Sequence, residues 1–385
     1  MMSMGGSVTP YQYLSYVLLA SFLLSIFSVL IYQLGRRLIH QIVVQETSTN
    51  LSVETNLKND ALVKLDEKLH RKSSWLATPL PYRILWYGMA VLWLLAGILQ
   101  AQPMMFTNQF ISSILQNAYL TQVPFLRTSD LALMERWSHN PVTSNIEAIM
   151  IQLFIGVLLL LNRRNWLGYT ALGGSIVWGL LVWAYGEGFG NTFTTGRSFL
   201  LSGTPGAVLF YVVASVLLLL PIQIWENPRF YSIMRVALAV FWGLAAIWQI
   251  IPSNGAWQAK TWQNSLQSMI QTPAGQPSWV TSGINMFMRL AIQHVSLVNS
   301  ISIGLFFFIA VLFLLPTPRA LMVGISCLVL FLVWWWTEDF GVLGGMGTDV
   351  NVAPLVGLFT VAFYPSIRVQ KYLGSFGKPV KHDLK

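Results

Sequence analysis

Charge is scarce in this sequence. Asp, Glu, Lys and Arg make up 10% of its 385 residues, against roughly 25% in a soluble domain. Acidic charge is scarcest: 14 Asp and Glu face 23 Lys and Arg, for a formal net charge of +9. Cysteine occurs once, at Cys327, which excludes an internal disulfide and with it a disulfide-stapled secreted scaffold. Cys327 lies in an apolar run and reads as a small buried hydrophobe. Several motifs are missing: a Walker A loop, a dinucleotide glycine fingerprint, a nucleophile elbow, HExxH, CxxC and His-x-x-x-His. Their absence argues against an ATPase or hydrolase and gives no motif for a metal or haem. Metal and cofactor therefore stay unknown at this stage.

What the chain has in place of charge is apolar sequence. Hydrophobic residues make up 55% and mean hydropathy is +0.58. A soluble enzyme and a disordered chain are excluded, and a polytopic all-α integral membrane protein remains. About nine runs have the length of a membrane helix: near 12–33, 84–101, 146–161, 166–186, 206–222, 235–252, 296–315, 319–337 and 352–367. The third and last are short and need flanking residues. No basic residue precedes the first run, whereas Arg36 and Arg37 follow it, which predicts a retained anchor with its N-terminus outside. Nine spans then put the C-terminus in the cytoplasm. Of the 23 Lys and Arg, 18 fall in the segments this places inside and 5 outside: Arg127, Arg136, Arg197, Lys260 and Arg289. That distribution follows the positive-inside rule, so the basic balance points to a bilayer and not to nucleic acid.

The predicted organisation is an anchor over 1–34, a cytoplasmic segment over 35–80, four-helix units over 81–221 and 232–366, and a basic cytoplasmic tail over 367–385. In the second segment Leu57, Ala61, Leu65 and Leu69 recur at helical spacing among lysines, which predicts an amphipathic surface helix. The two units rest on an internal repeat. Residues 90–103 (AVLWLLAGILQAQP) match 239–252 (AVFWGLAAIWQIIP) at eight of fourteen positions. Each is followed by a long outer stretch holding Gln122, Pro124 and His139 in one case, and Gln276, Pro277 and His294 in the other. Residues 168–190 then align with 319–341, both ending Trp-x-x-x-Glu-x-Phe-Gly at Trp183–Gly190 and Trp334–Gly341. Two parallel units predict pseudo-two-fold symmetry about an axis along the membrane normal. The outer stretches 104–137 and 257–292 read as amphipathic helices capping the bundle, as a lid or a docking surface. Small residues four apart, Ala171–Ser175–Gly179 and Ser296–Ser300–Gly304, predict close helix packing.

Candidate chemistry is sparse. Glu187 and Glu338 recur at matching helix ends, each followed by a glycine-rich stretch. Compact loops presenting two carboxylates fit proton or cation handling, with Asp339 and Asp349 as further acids. The alternative is a carboxylate that only locks its loop through backbone amides. His139 and His294 each precede a span, and imidazole with carboxylate could relay protons or bind a metal if the loops folded back. A helix-start histidine bonded to backbone is the plainer reading. The outer aromatics, among them Trp137, Trp183, Tyr185, Trp262, Trp279 and Trp334, read as an interfacial belt, a subset of which could line an amphiphile pocket.

The run from Leu92 to Phe106, Leu-Trp-Leu-Leu-x-Gly-x-x-Gln-x-Gln-Pro-x-Met-Phe, resembles a pattern of multi-span bacterial membrane proteins of uncharacterised activity. The Trp-x-x-x-Glu-x-Phe-Gly element and Gly203–Gly206 fit the same group. More loosely, by span count and layout, each four-helix unit is similar to DoxX-like membrane units, a resemblance that implies association with quinone or thiol redox systems. Three functions follow as expectations. The first is small-solute or ion transport at a pseudo-two-fold site near the outer face. The second is a membrane subunit of a quinone- or metal-linked oxidoreductase, and the third a non-catalytic scaffold with membrane-protein partners.

Overall fold

The computed structural model describes residues 75, 78–270, 276–315, 319–343 and 347–363. The anchor, the 57–69 helix and the basic tail of the sequence reading lie outside these residues. The described residues are helical, with no strand among them.

Helix starts follow from proline and Asx chemistry. Helix α1 (Leu80–Gln100) carries Pro81 in its first turn and stops before Pro103, because proline fits a helix start but cannot continue one. A bent helix α2 follows, running through Asn108–Phe110, Ile111–Leu115 and Gln116–Leu120, and then α3 (Arg127–His139). Helix α4 (Pro141–Leu161) opens on its own proline. Helix α5 (Trp166–Leu181) is capped by Asn165, whose Oδ1 accepts from the Gly168 amide at 2.9 Å, and continues through a wide turn, Val182–Gly186. Helix α6 (Ala207–Leu219) follows. Then come α7 (Pro228–Ile250), α8 (Ala259–Ile270), α9 (Ser278–Gln293), α10 (Val295–Leu314), α11 (Arg319–Trp336) and α12 (Val352–Phe363).

Among the described residues, five stretches are long and apolar enough to cross a bilayer: Leu80–Gln100, Pro141–Leu161, Trp166–Gly186, Pro228–Ile250 and Val295–Leu314. The third predicted span gains its missing length at the N-terminal end, from Pro141 to Asn145. Helices α6 and α12 are shorter, at 13 and 12 residues. At about 1.5 Å per residue they fall short of a hydrocarbon core about 30 Å thick. Both are largely buried, and α12 packs on α1 as well as on α11. Long helices outside show apolar rows to their surroundings, such as Ile233, Val236, Val240, Leu244 and Ile247 on α7. An exposed apolar stripe of that length suits lipid and not water. The described residues are thus those of an all-helical protein of membrane type.

Buried aromatics staple the first unit through their polar tips. Trp86 Nε1 donates to the Leu159 carbonyl (2.8 Å), Tyr211 Oη to Leu92 (3.1 Å) and Tyr82 Oη to Leu218 (3.1 Å). Trp93 Nε1 donates to Ser175 Oγ at 2.9 Å, and Ser215 Oγ donates to the same oxygen at 2.8 Å. The first small-residue ladder is therefore a packing seam, with Gly179 against Val208 and Val212. The second ladder is not: Ser296, Ser300 and Gly304 are exposed, and nothing approaches the place a Cβ would take on Gly304. Spacing alone had not said which face of α10 packs. Ser175→Ala is expected to cost about 1–3 kcal/mol, because it leaves the buried Trp93 and Ser215 donors without their acceptor. Ser300→Ala should fall within about 0.5 kcal/mol of the parent. Denaturant unfolding of the two variants in one detergent checks the contrast, and equal losses would show the seam reading wrong.

Candidate functional site

The two Glu-x-Phe-Gly segments form compact turns of one design. Phe189 and Gly190 have φ of 59° and 58°, and Phe340 and Gly341 have 51° and 82°. The Gly190 and Gly341 amides donate to the Glu187 and Glu338 carbonyls, each at 2.8 Å. Trp183 meets Phe189 edge-on at 5.0 Å, and Trp334 meets Phe340 at 4.8 Å. Trp183 Nε1 donates to the Pro205 carbonyl and Trp334 Nε1 to Val350, both at 2.8 Å. Another recurrence ties the C-terminal ends of α1 and α7 to the first turns of α4 and α10. Asn145 Nδ2 donates to the Gln100 carbonyl at 3.1 Å, and Asn299 Nδ2 to Gln249 at 3.0 Å.

Each turn delivers its carboxylate to the start of a short helix. Glu187 Oε1 accepts from the Ala207 amide at 3.1 Å and more weakly from Val208 at 3.4 Å, at the start of α6. Glu338 uses both oxygens on the Ala353 amide of α12, at 3.2 and 3.0 Å. A helix N-terminus favours an anion there. The locking role weighed in the sequence reading is thus present in both turns. The turns differ in what remains. Glu187 Oε2 is buried with no hydrogen-bond partner, and Glu187 lines a cavity.

That cavity, about 520 Å³ in volume, lies beneath α3 between α4 and α5. Phe110, Leu115, Leu133, Trp137, Trp178 and Val182 supply apolar wall. Gln100, Ser144, Gln152, Glu187 and Thr348 supply polar groups, Thr348 coming from the loop before α12. At the rim, Arg136 of α3 meets Glu147 of α4 at 2.8 Å, with both side chains more than half exposed. Gln122 fastens α3: its Nε2 donates to Asp130 Oδ2 on α3 at 3.2 Å and to the Ala184 carbonyl in the wide turn after α5 at 2.8 Å. Burial raises the Asp130 pKa, and the Gln122 bond opposes this. Beside Glu187 Oε2, three polar atoms of cavity residues are buried without partners: Gln152 Oε1, Trp137 Nε1 and Trp178 Nε1. Gln152, only 4% exposed, was not singled out from sequence. Its signal was a lone amide in the apolar run from Ala148 to Leu161, at a depth where polar groups are costly.

The acids converge in part. Burial first, and the neighbouring Asp349 second, hold the Glu187 carboxyl well above the usual range, against the pull of the Val208 and Ala207 amides. Asp349, also raised by burial, accepts from the Asn351 amide at 2.6 Å, while its Oδ2 is buried and unpartnered. Asp339 is buried and bonded by Gln276 Nε2. The histidines stand apart. His139 and His294 are exposed, neither lines the cavity, and His139 Nδ1 lies 2.8 Å from the Glu135 carbonyl. Nor do they match each other: His294 caps α10 where Asn140 caps α4, so the position matching His139 is Gln293. The expected meeting of histidine and carboxylate does not occur, because each imidazole sits at a surface helix junction. Among the described residues, no three His, Cys, Asp or Glu side chains gather as metal ligands. The aromatic belt divides as well: Trp262 is in the core, Trp279 is exposed and Trp137 faces the cavity.

No family model, curated protein or solved structure matches the chain.

Proposed function

We propose that this chain is a membrane carrier for a small solute, built from two copies of a four-helix unit about an upright pseudo-two-fold axis, with the N-terminus outside and the C-terminus in the cytoplasm. The observation that carries the reading is the cavity under α3, a mostly apolar space with the polar residues Gln100, Ser144, Gln152 and Glu187 among its lining. A concave apolar pocket with a few polar groups is organised for a guest. The matched hydrogen bonds of the Glu187 and Glu338 turns, and of Asn145 and Asn299, support the duplication. The 18-to-5 division of basic residues supports the orientation. Short helices α6 and α12, each starting on a carboxylate, fit the discontinuous helices that place binding sites at membrane depth in carriers.

Alternating access is testable without knowing the solute. In a Cys327→Ser background, Gln152→Cys in sealed, oriented vesicles is expected to react with a membrane-impermeant thiol reagent from either side. Ser138→Cys, at the exposed end of α3, should react from outside only. If Gln152→Cys reacts only from outside under all conditions, the site binds but does not carry. If Ser138→Cys reacts from the cytoplasmic side alone, the orientation is wrong.

A further inference from the structure

Helix α9 carries three faces. Val280, Gly283, Ile284 and Ala291 fall together at helical spacing and are buried. Gly283 lies against the Trp335 ring, atoms of which would stand 2.5 to 2.7 Å from a Cβ there. A second row, Trp279, Met286 and Leu290, is apolar and exposed. A third row, Ser282, Asn285, Arg289 and Gln293, recurs every three or four residues and is polar. Met286, Leu290 and the whole polar row line an open groove of about 720 Å³. Its wall is aromatic: Phe287 and Trp336 stack at 4.9 Å with an interplanar angle of 13°. A helix that exposes an apolar row beside a polar one belongs at the depth where acyl chains give way to headgroups. An exposed tryptophan on the apolar row suits the same depth.

The groove's charge is one-sided. Arg289 is the charged residue of its lining, and it is exposed. Among the described residues no ion pair or hydrogen bond engages its side chain. The sequence offers it no acid nearby, since no Asp or Glu occurs over residues 227–337. Glu338 and Asp339, which follow Trp336 closely, are buried and engaged, the first by the Ala353 amide and the second by Gln276 Nε2. In the first unit, by contrast, Arg136 of α3 is answered by Glu147 at 2.8 Å. A guanidinium without an acid, set beside an apolar floor and among hydroxyl and amide donors, complements a phosphodiester that carries acyl chains. We propose that the groove on α9 binds an anionic phospholipid of the surrounding bilayer. The headgroup phosphate lies on the Arg289 guanidinium, with the Asn285 and Gln293 amides as further donors. An acyl chain runs along Met286 and Leu290 against the Phe287–Trp336 wall. A zwitterionic lipid fits less well, because its own ammonium repels Arg289. The site lies apart from the cavity under α3 and rests on the membrane character of the fold, not on the carrier reading.

The test uses the full chain in detergent and three probes: dioleoylphosphatidylglycerol, dioleoylphosphatidylcholine and glycerol phosphate, the first lipid's headgroup without its chains. Bound molecules are counted by native mass spectrometry across a titration. The first phosphatidylglycerol is expected to bind about fivefold more tightly than phosphatidylcholine, the gain of one basic residue beside an anionic headgroup. Glycerol phosphate should not bind over the same concentrations. Arg289→Gln should erase the preference with phosphatidylcholine binding unchanged. Lys260→Gln removes one positive charge from an exposed position of α8 outside the groove and should keep the preference. Leu290→Asn should weaken both lipids. All three positions are exposed, so the variants should melt with the parent. Equal affinity for the two lipids, a preference that survives Arg289→Gln, or one lost to the same degree in Lys260→Gln would overturn the proposal. Glycerol phosphate binding as tightly as phosphatidylglycerol would make this a site for a soluble anion and would overturn the lipid assignment.

Discussion

Gly190→Ala is expected to reduce the folded yield of the full chain severely and to lower the thermal midpoint of what remains. Gly190 sits at φ +58°, and a Cβ there would lie 2.1 Å from the Pro205 oxygen, 2.2 Å from its carbonyl carbon and 2.4 Å from the Gly206 nitrogen. All three contacts are backbone, so no side chain can swing aside. The left-handed conformation costs an L-residue about 1 kcal/mol, and overpacking typically adds about 1–3 kcal/mol. Here the displaced strand of chain also carries the Ala207 and Val208 amides that hold Glu187. Opening the turn therefore strips a buried carboxylate of its donors, and the total should exceed about 3 kcal/mol. Gly341→Ala meets the same difficulty, at φ +82° with the Asp349 oxygen 2.5 Å away. Gly174→Ala is the control, since its Cβ would meet only Ile155 at 3.8 Å. Size-exclusion profiles and thermal unfolding in a single detergent compare the three. A Gly190→Ala protein melting within about 2 °C of the parent would show that the turn is not rigid.

The turn was legible as a compact loop because its parts lie close together in sequence: Trp, Glu, Phe and Gly fall within eight residues, and glycine permits a tight turn. The long helices were legible from apolar length, and their starts from Pro81, Pro141, Pro228 and Asn165. The cavity was not. It arises where α3 stands off α4 and α5, and that gap depends on how side chains such as Leu133, Gln152 and Tyr185 fill the space between helices that are distant in sequence. No periodicity reports a difference of packing volume between two distant helices. The histidines misled for a related reason. His139 ends one helix and His294 caps another, and the helix caps, like the paired bonds of Asn145 and Asn299, set the two histidines one residue out of register. The small-residue ladder on α10 failed because a stripe of small residues states how close a neighbour can come, without stating that one is there.

Raising pH from about 6 to about 9 is expected to destabilise the second turn by an amount on the order of a few kcal/mol. Burial pushes the Glu338 carboxyl up to about 8, against the Ala353 amide that favours its charged form and with the Asp349 charge adding to the rise. Burial likewise pushes Asp339 to about 7, opposed by the Gln276 bond, and Asp349 to about 6, opposed by the Asn351 amide. In the unfolded chain all three titrate near the ordinary carboxylate value of about 4. Between about 4 and 8 the folded protein therefore binds more protons than the unfolded one, and stability falls as pH rises through that window. The loss is complete once pH passes the folded value of about 8 for Glu338. This sign is opposite to that of salt-bridged carboxylates, whose stability is lost on acidification. Glu338→Gln keeps an oxygen for the Ala353 amide and cannot ionise. It should make the decline between pH 7 and 9 shallower than the parent's, leaving the contributions of Asp339, Asp349 and Glu187, whose carboxyl burial also raises. Thermal midpoints of the parent and Glu338→Gln at pH 6, 7.5 and 9 in nanodiscs decide the matter. A parent midpoint that is constant or rises with pH would mean that these carboxylates stay ionised in the folded protein, held by the start of α12 against the cost of burial.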